Sequence, residues 1–217
     1  MSRIYISPSM QEHNVGVGNY GTEEREMNLI ADLVIPILVK HGQTVYRNRP
    51  AMSLTQMVND SNSKKVDVHF AIHSDAGGAR GAEVIAYSTT SKGYALSKSV
   101  YNFLSALTPV ADRGVKVNSS LFELRKTVAP SALAEISFHD NIDDVKWIME
   151  HREDIAIAIA KGILGYLGVK YVEPVKPAAP NVPGRIYRVQ LGAFKDKNNA
   201  DRMITKLKAD GYNAIII

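Results

Sequence analysis

Short β-branched runs alternate along the chain with longer stretches in which apolar residues recur every three or four positions. RIYIS (3–7) precedes the helical pattern EEREMNLIADLVIPILVKHG (23–42), and QTVYR (43–47) precedes a more polar one within AMSLTQMVNDSNSK (51–64). VDVHFAIH (66–73) and AEVIAYS (82–88) lead to KGYALSKSVYNFLSALT (92–108). ALAEISF (132–138) then runs into a closing helix predicted through NIDDVKWIMEHREDIAIAIAKGILGYLG (141–168). Strand and helix alternating in this order predict an α/β domain, a twisted and mostly parallel sheet with helices on both faces.

The pattern stops at YVEPVKPAAPNVPGR (171–185), where prolines 174, 177, 180 and 183 stand three apart. That spacing favours an extended polyproline-type tether. The expected organisation is a catalytic-size domain over 1–171, a Pro-rich linker over 172–184 and a small module over 185–217. In the module, RIYRVQLGAF (185–194) reads as a strand, NNADRMITKLKADG (198–211) as a helix and YNAIII (212–217) as a second strand. A lone βαβ of this size buries too little to stand alone, so it is expected to dock on a partner, with a homodimer through paired tails favoured over its own domain.

Composition narrows the chemistry. The 217 residues are 45% hydrophobic, enough for one good core, and contain no cysteine. Disulfides and thiolates are therefore excluded, and any metal must be held by His, Asp or Glu. The net charge of +4 suits a polyanionic partner, but the basic residues are scattered, which argues against a nucleic-acid stripe. The first residues have no leader pattern and no apolar run is long enough to span a bilayer, so the expectation is synthesis in the cytoplasm without a signal peptide and no membrane insertion.

In open α/β sheets ligands sit beyond the carboxyl ends of the strands. His73 ends VDVHFAIH, His13 follows RIYIS after a polar loop, and Glu135 lies inside SALAEISF. A carboxylate in an apolar strand is costly unless paired, protonated or bound to a cation. An ion pair with an arginine such as Arg125 and a reactive role stand level for it. Viewed alone, His73 is a hydrogen-bonded strand-end histidine, but the small residues of SDAGGARG after it would let a substrate approach the backbone. His69 shares its face and reads as core. Glu24 opens the first helix, where acidic residues are common. His41, His139 and His151 read as solvated or capping. Two histidines and a glutamate are the ligand set of a catalytic zinc with an open water position, which His13, Glu24 and His73, with Glu135 as base, satisfy.

The segments EREMNLIA, HFAIHSDAGGARGAEVIAY and FELRKTVAPSALAEISFHDNIDD resemble those of zinc-dependent N-acetylmuramoyl-L-alanine amidases of the amidase-3 type, over roughly residues 3–168. The resemblance implies that Glu24, four positions before Asn28, and His73 are zinc ligands, and that Glu135 is the catalytic acid/base. The family's DPGHGG after the first strand is replaced here by SPSMQEHN, so His13 is taken as the only histidine in reach. Asp75 stands where asparagine is usual. The tail YRVQLGAFKDKNNADRMITKLKADGYNAII resembles the first half of a SPOR-type repeat, a small peptidoglycan-binding module of ferredoxin-like form.

What the resemblance implies is hydrolysis of the amide between muramic acid and L-alanine in peptidoglycan. Gly77, Gly78 and Gly81 would floor the groove, while Arg80 would meet a stem-peptide carboxylate or else stay solvated. It further implies action on the cell wall, in phage release or mother-cell lysis. The rivals are a zinc peptidase cutting within the stem peptide, a two-carboxylate glycosidase using Glu135 and Glu24, and a non-catalytic wall binder.

Overall fold

The computed structural model describes residues 1–110, 113–173, 196–209 and 215. The chain divides into two compact units, Met1–Glu173 and Pro174–Ile217. The first is built on six strands: β1 (Arg3–Pro8), β2 (Thr44–Arg47), β3 (Val68–Asp75), β4 (Glu83–Ala86), β5 (Val115–Val117) and β6 (Ser131–Phe138). They lie in the order β2-β1-β3-β6-β4-β5. All neighbours are parallel except β4 and β6, which run antiparallel, so the sheet is mixed and mostly parallel.

Alternation along the strands divides two unequal layers. Ile4 and Ile6, Val68, Phe70 and Ile72, and Ala132, Ala134 and Ile136 point into the main core. That core is closed by α1 (Glu23–Lys40), α3 (Lys92–Ser105), α5 (Ile142–Glu150) and α6 (Arg152–Tyr166). Helices α3 and α6 approach so closely that a Cβ on Gly162 would stand 2.4 Å from the Cα of Val100. Arg152 and the buried Glu26 form an ion pair at 2.6 Å that ties α6 to α1. Tyr5, Ala71 and Leu133 face the other way, under the thinner cover of α2 (Leu54–Ser63) and α4 (Phe122–Lys126). By the two-residue period, His69, His73 and Glu135 belong to this thinner layer.

The structure departs from the sequence reading in three places. The closing helix is two helices, broken at His151 (φ −119°, ψ 22°), whose N–H caps α5. Strand β5 and helix α4 were not anticipated. At three and five residues they are shorter than the periods that announce an element. In the second unit the described helix is α7 (Lys197–Ala209), while both expected strands, 185–194 and 212–217, lie outside the described residues and residue 215 is exposed. Among the described residues no helix is long and apolar enough to cross a membrane.

Candidate active site

Three elements meet at the carboxyl edge of the sheet. In the parallel ladder His73 of β3 stands beside Glu135 of β6, and the antiparallel ladder sets Glu83 of β4 on the far side of Glu135. A register shift after His73 ends the regular pairing there. Thr22 caps α1 by accepting from the Arg25 N–H, which makes Glu23 the first helical residue. From that position Glu23 falls on the buried stripe continued by Met27, Ile30, Val34 and Leu38. Its carboxylate points at β3: Oε1 lies 2.8 Å from Nδ1 of His73 and accepts from the Ser74 N–H at 3.4 Å.

Glu24 is turned off this stripe. It is half-buried, and its backbone carbonyl accepts from Asn28 at 2.7 Å. The carboxylate that meets His73 is thus Glu23, one residue before the position the resemblance selects. His13 is exposed on the loop between β1 and α1. Two amides of that loop approach the pair: Gln11 Nε2 lies 3.4 Å from His73 Nδ1, and Asn14 Nδ2 donates to Glu23 Oε2 at 2.6 Å. The loop is held by backbone bonds from Glu23 to Asn14 and from Gly16 to Gly21, and by the Tyr20 hydroxyl donating to Ser74 at 2.7 Å. His139 is not solvated. It is buried, bonded to Ser74 at 3.0 Å and stacked on Tyr20.

A second imidazole and carboxylate lie behind the first pair. His69 is fully buried, with Nδ1 2.8 Å from Ser61 Oγ, Nε2 2.7 Å from Glu123 Oε1, and its ring stacked on Tyr5. Both nitrogens are therefore engaged within the fold. The other oxygen of Glu123 stands 4.0 Å from Nε2 of His73. Carboxylate and imidazole thus alternate from Glu23 through His73 and Glu123 to His69.

The charges follow from this order. Burial opposes the cationic form of His73, but the bond to Glu23 and the charges of Glu135, Glu23 and Glu123 outweigh it and push its pKa up to about 9. Burial likewise works to raise Glu23, yet its bonds to His73, Asn14 and Ser9 bring it below the ordinary carboxylate value. Glu123 is lowered against burial in the same way by His69, His73 and Ser7. Glu135 is the exception. Burial pushes it up to about 8, with His73 opposing and Asp75, Glu23 and Glu83 adding to the rise. Its Oε2 is closed to solvent and has no hydrogen-bond partner. Arg125, the partner considered from sequence, is exposed on α4, and no ion pair joins it to Glu135.

The residues expected to touch substrate form a clamp on the β3–β4 loop. Gly77 and Gly78, at φ 136° and 75°, direct their N–H groups to one oxygen of Asp140 at 2.7 and 2.9 Å. Arg80 is engaged by Asp144 at 2.8 Å and Asp143 at 3.4 Å, while its side chain keeps 39% of its surface exposed. Asp75 is half-buried and its Oδ1 accepts from the Ala76 N–H.

The zinc set of two histidines and one glutamate does not fit these side chains. A single imidazole stands among the carboxyl groups of Glu23, Glu123 and Glu135, the other histidine of the set is exposed, and among the described residues no three His, Asp or Glu side chains gather as a metal-holding group.

Known proteins resemble the chain over this whole region. It is 27% identical over 226 residues to the N-acetylmuramoyl-L-alanine amidase CwlM of Bacillus licheniformis, across all of this chain and 85% of that protein. It is 25% identical over 224 residues to a sporulation-specific N-acetylmuramoyl-L-alanine amidase of Bacillus subtilis, with the same coverage. Among solved structures, the amidase AmiC2 of Nostoc punctiforme superposes with a TM-score of 0.69 at 27% identity, over 77% of this chain and 97% of that one. The catalytic domain of CwlV from Bacillus (Paenibacillus) polymyxa shares the fold, with a TM-score of 0.71 at 24% identity over 78% of this chain and 100% of that one. Residues 183–217 match the SPOR domain. The N-acetylmuramoyl-L-alanine amidase profile matches residues 4–165, the region that forms the six-stranded sheet and its acidic, histidine-bearing carboxyl edge, and the chain belongs to that family.

Proposed function

We propose that the chain hydrolyses the amide joining the muramic acid lactyl group to L-alanine of the peptidoglycan stem peptide, with Glu135 as the acid and base of the reaction. The observation that carries this is the Glu135 carboxyl: closed to solvent at Oε2, unpartnered there, and set in the ladder beside His73 at the carboxyl edge of the sheet. A carboxyl with a pKa near 8 is populated in both forms around neutral pH, which general acid–base chemistry needs.

As carboxylate, Glu135 accepts a proton from the attacking water while the water oxygen bonds to the amide carbon. It then gives that proton to the leaving nitrogen as the C–N bond breaks. The carboxyl ends as it began; the second proton of the water passes from the new acid to the amine, and the products are the lactyl carboxylate and an alanine ammonium. His73, held by Glu23 on one edge and faced by Glu123 on the other, supplies a fixed positive charge beside the carbonyl. In the family's mechanism zinc activates this water. The donor set here is one histidine short of that arrangement, so the proton steps rest with Glu135. The SPOR match supports a tail that holds the catalytic unit on the wall.

Digestion of purified cell wall tests the reading. Free amino-terminal alanine, without new reducing sugar ends, is the expected product. New amino termini further along the stem peptide point to the peptidase, new reducing ends to the glycosidase, and binding without release to the non-catalytic protein.

A further inference from the structure

The loop between β1 and α1 approaches the Glu23–His73 pair with two carboxamides. Gln11 Nε2 stands 3.4 Å from His73 Nδ1, its Oε1 accepts from Asn14 Nδ2 at 3.1 Å, and the same Asn14 nitrogen reaches Glu23 Oε2 at 2.6 Å. Backbone bonds from Asn14 N–H to Gln11 and from Glu23 N–H to Asn14 fix both residues in register with the helix start. His13, between them in sequence, is exposed. We propose that Gln11 and Asn14 occupy the place of a second histidine, so that Glu23 and His73 are held by their own hydrogen bond, with Asn14 donating to Glu23, rather than by a zinc ion.

The chemistry of the donors supports this. An amide nitrogen donates hydrogen bonds and offers no lone pair to a cation, and an amide oxygen is a weak zinc ligand beside imidazole, thiolate or carboxylate. The amide oxygen of Gln11 already accepts from Asn14. A zinc ion entering between Glu23 and His73 would break their contact and the Asn14 bond, and would gain a single imidazole and a single carboxylate. The proposal rests on the placement of this site and not on its hydrolytic role, so zinc binding and wall cleavage can fail separately.

The test is calorimetric titration of the full chain with zinc chloride after treatment with chelator, comparing the native protein, Gln11→His and His13→Ala. An imidazole at position 11 reaches about as far as the glutamine nitrogen it replaces and completes a set with Glu23 and His73. Gln11→His is expected to tighten zinc binding at least about a hundredfold, above the scale of adding an outer partner to an existing site. His13→Ala should leave the weak native binding unchanged. One zinc per native chain that survives desalting overturns the proposal, as does loss of zinc in His13→Ala or a folded Gln11→His that binds no tighter. Should Gln11→His fail to fold, the native titration decides alone: weak binding supports the proposal and tight binding overturns it.

Discussion

Two carboxyl groups at the carboxyl end of the sheet meet opposite treatment. Asp144, buried in the first turn of α5, is saturated: it accepts from Arg80 Nε at 2.8 Å, the Gly81 N–H at 2.9 Å, the Phe138 N–H at 3.3 Å and the Ser137 hydroxyl. Against burial, those donors hold its pKa below the ordinary value. Glu135, nine residues earlier on β6, keeps one oxygen buried and unbonded and is pushed up to about 8. One carboxylate binds the β3–β4 loop to α5, and the other is left without a partner at one oxygen. Burial alone does not raise a carboxyl; burial without donors does.

Replacement of each acid by its amide should separate the two roles. Glu135→Gln is expected to lower turnover on purified wall at least about a hundredfold, the scale of a lost general acid–base group. Its melting temperature should be unchanged or higher, since a costly buried carboxyl is removed. Asp144→Asn should do the reverse. It leaves Arg80 facing an amide and weakens several charged hydrogen bonds, at a cost of about 2 kcal/mol, seen as a fall of about 4–8 °C in melting temperature. Turnover per folded molecule should hold.

Acid sharpens the contrast. A group whose pKa is lowered by folding contributes stability above its unfolded value and loses it as pH falls through the folded one. For Asp144 that window opens near the ordinary 3.8 and extends below it. Chemical denaturation of the native chain and Asp144→Asn should show the stability gap between them intact at pH 6 and closing below about 3.8. The smallest effects concern the start of α1. Glu23→Gln should reduce turnover roughly tenfold by loosening His73, on the scale of a lost orienting partner. Glu24→Gln should stay within about twofold, as for substitutions away from the site. Equal losses in the two variants would show that the helix presents both acids to the cleft.

The sequence carried the layered fold because β-branched runs and helical periods alternate cleanly across the first 168 residues. The differences between the sequence expectation and the geometry are local and have local causes. Glu24 was selected by its distance from Asn28, whereas the buried stripe through Met27, Ile30 and Val34 runs back to Glu23, a signal present in the spacing but not weighed. His13 follows from the sequence as the only histidine in reach, and no spacing in the sequence marks Gln11 and Asn14 as the residues that approach His73 and Glu23. Arg80 and Asp144 are 64 residues apart, and His69 and Glu123 are 54 apart; neither pairing has a periodicity to announce it. His73 and Glu135 were visible because a polar residue interrupts an apolar strand at each. Their adjacency required the strand order, in which β6 inserts between β3 and β4.

The state of the Glu135 carboxyl is the most direct test of this account. Infrared spectra of the full chain labelled with carbon-13 at glutamate, compared with Glu135→Gln, isolate its signal. The account predicts a protonated carboxyl band at pH 7 that fades with a midpoint near 8 and is missing from the variant. A carboxylate band alone at pH 7, with a midpoint near the ordinary 4.5, would contradict it.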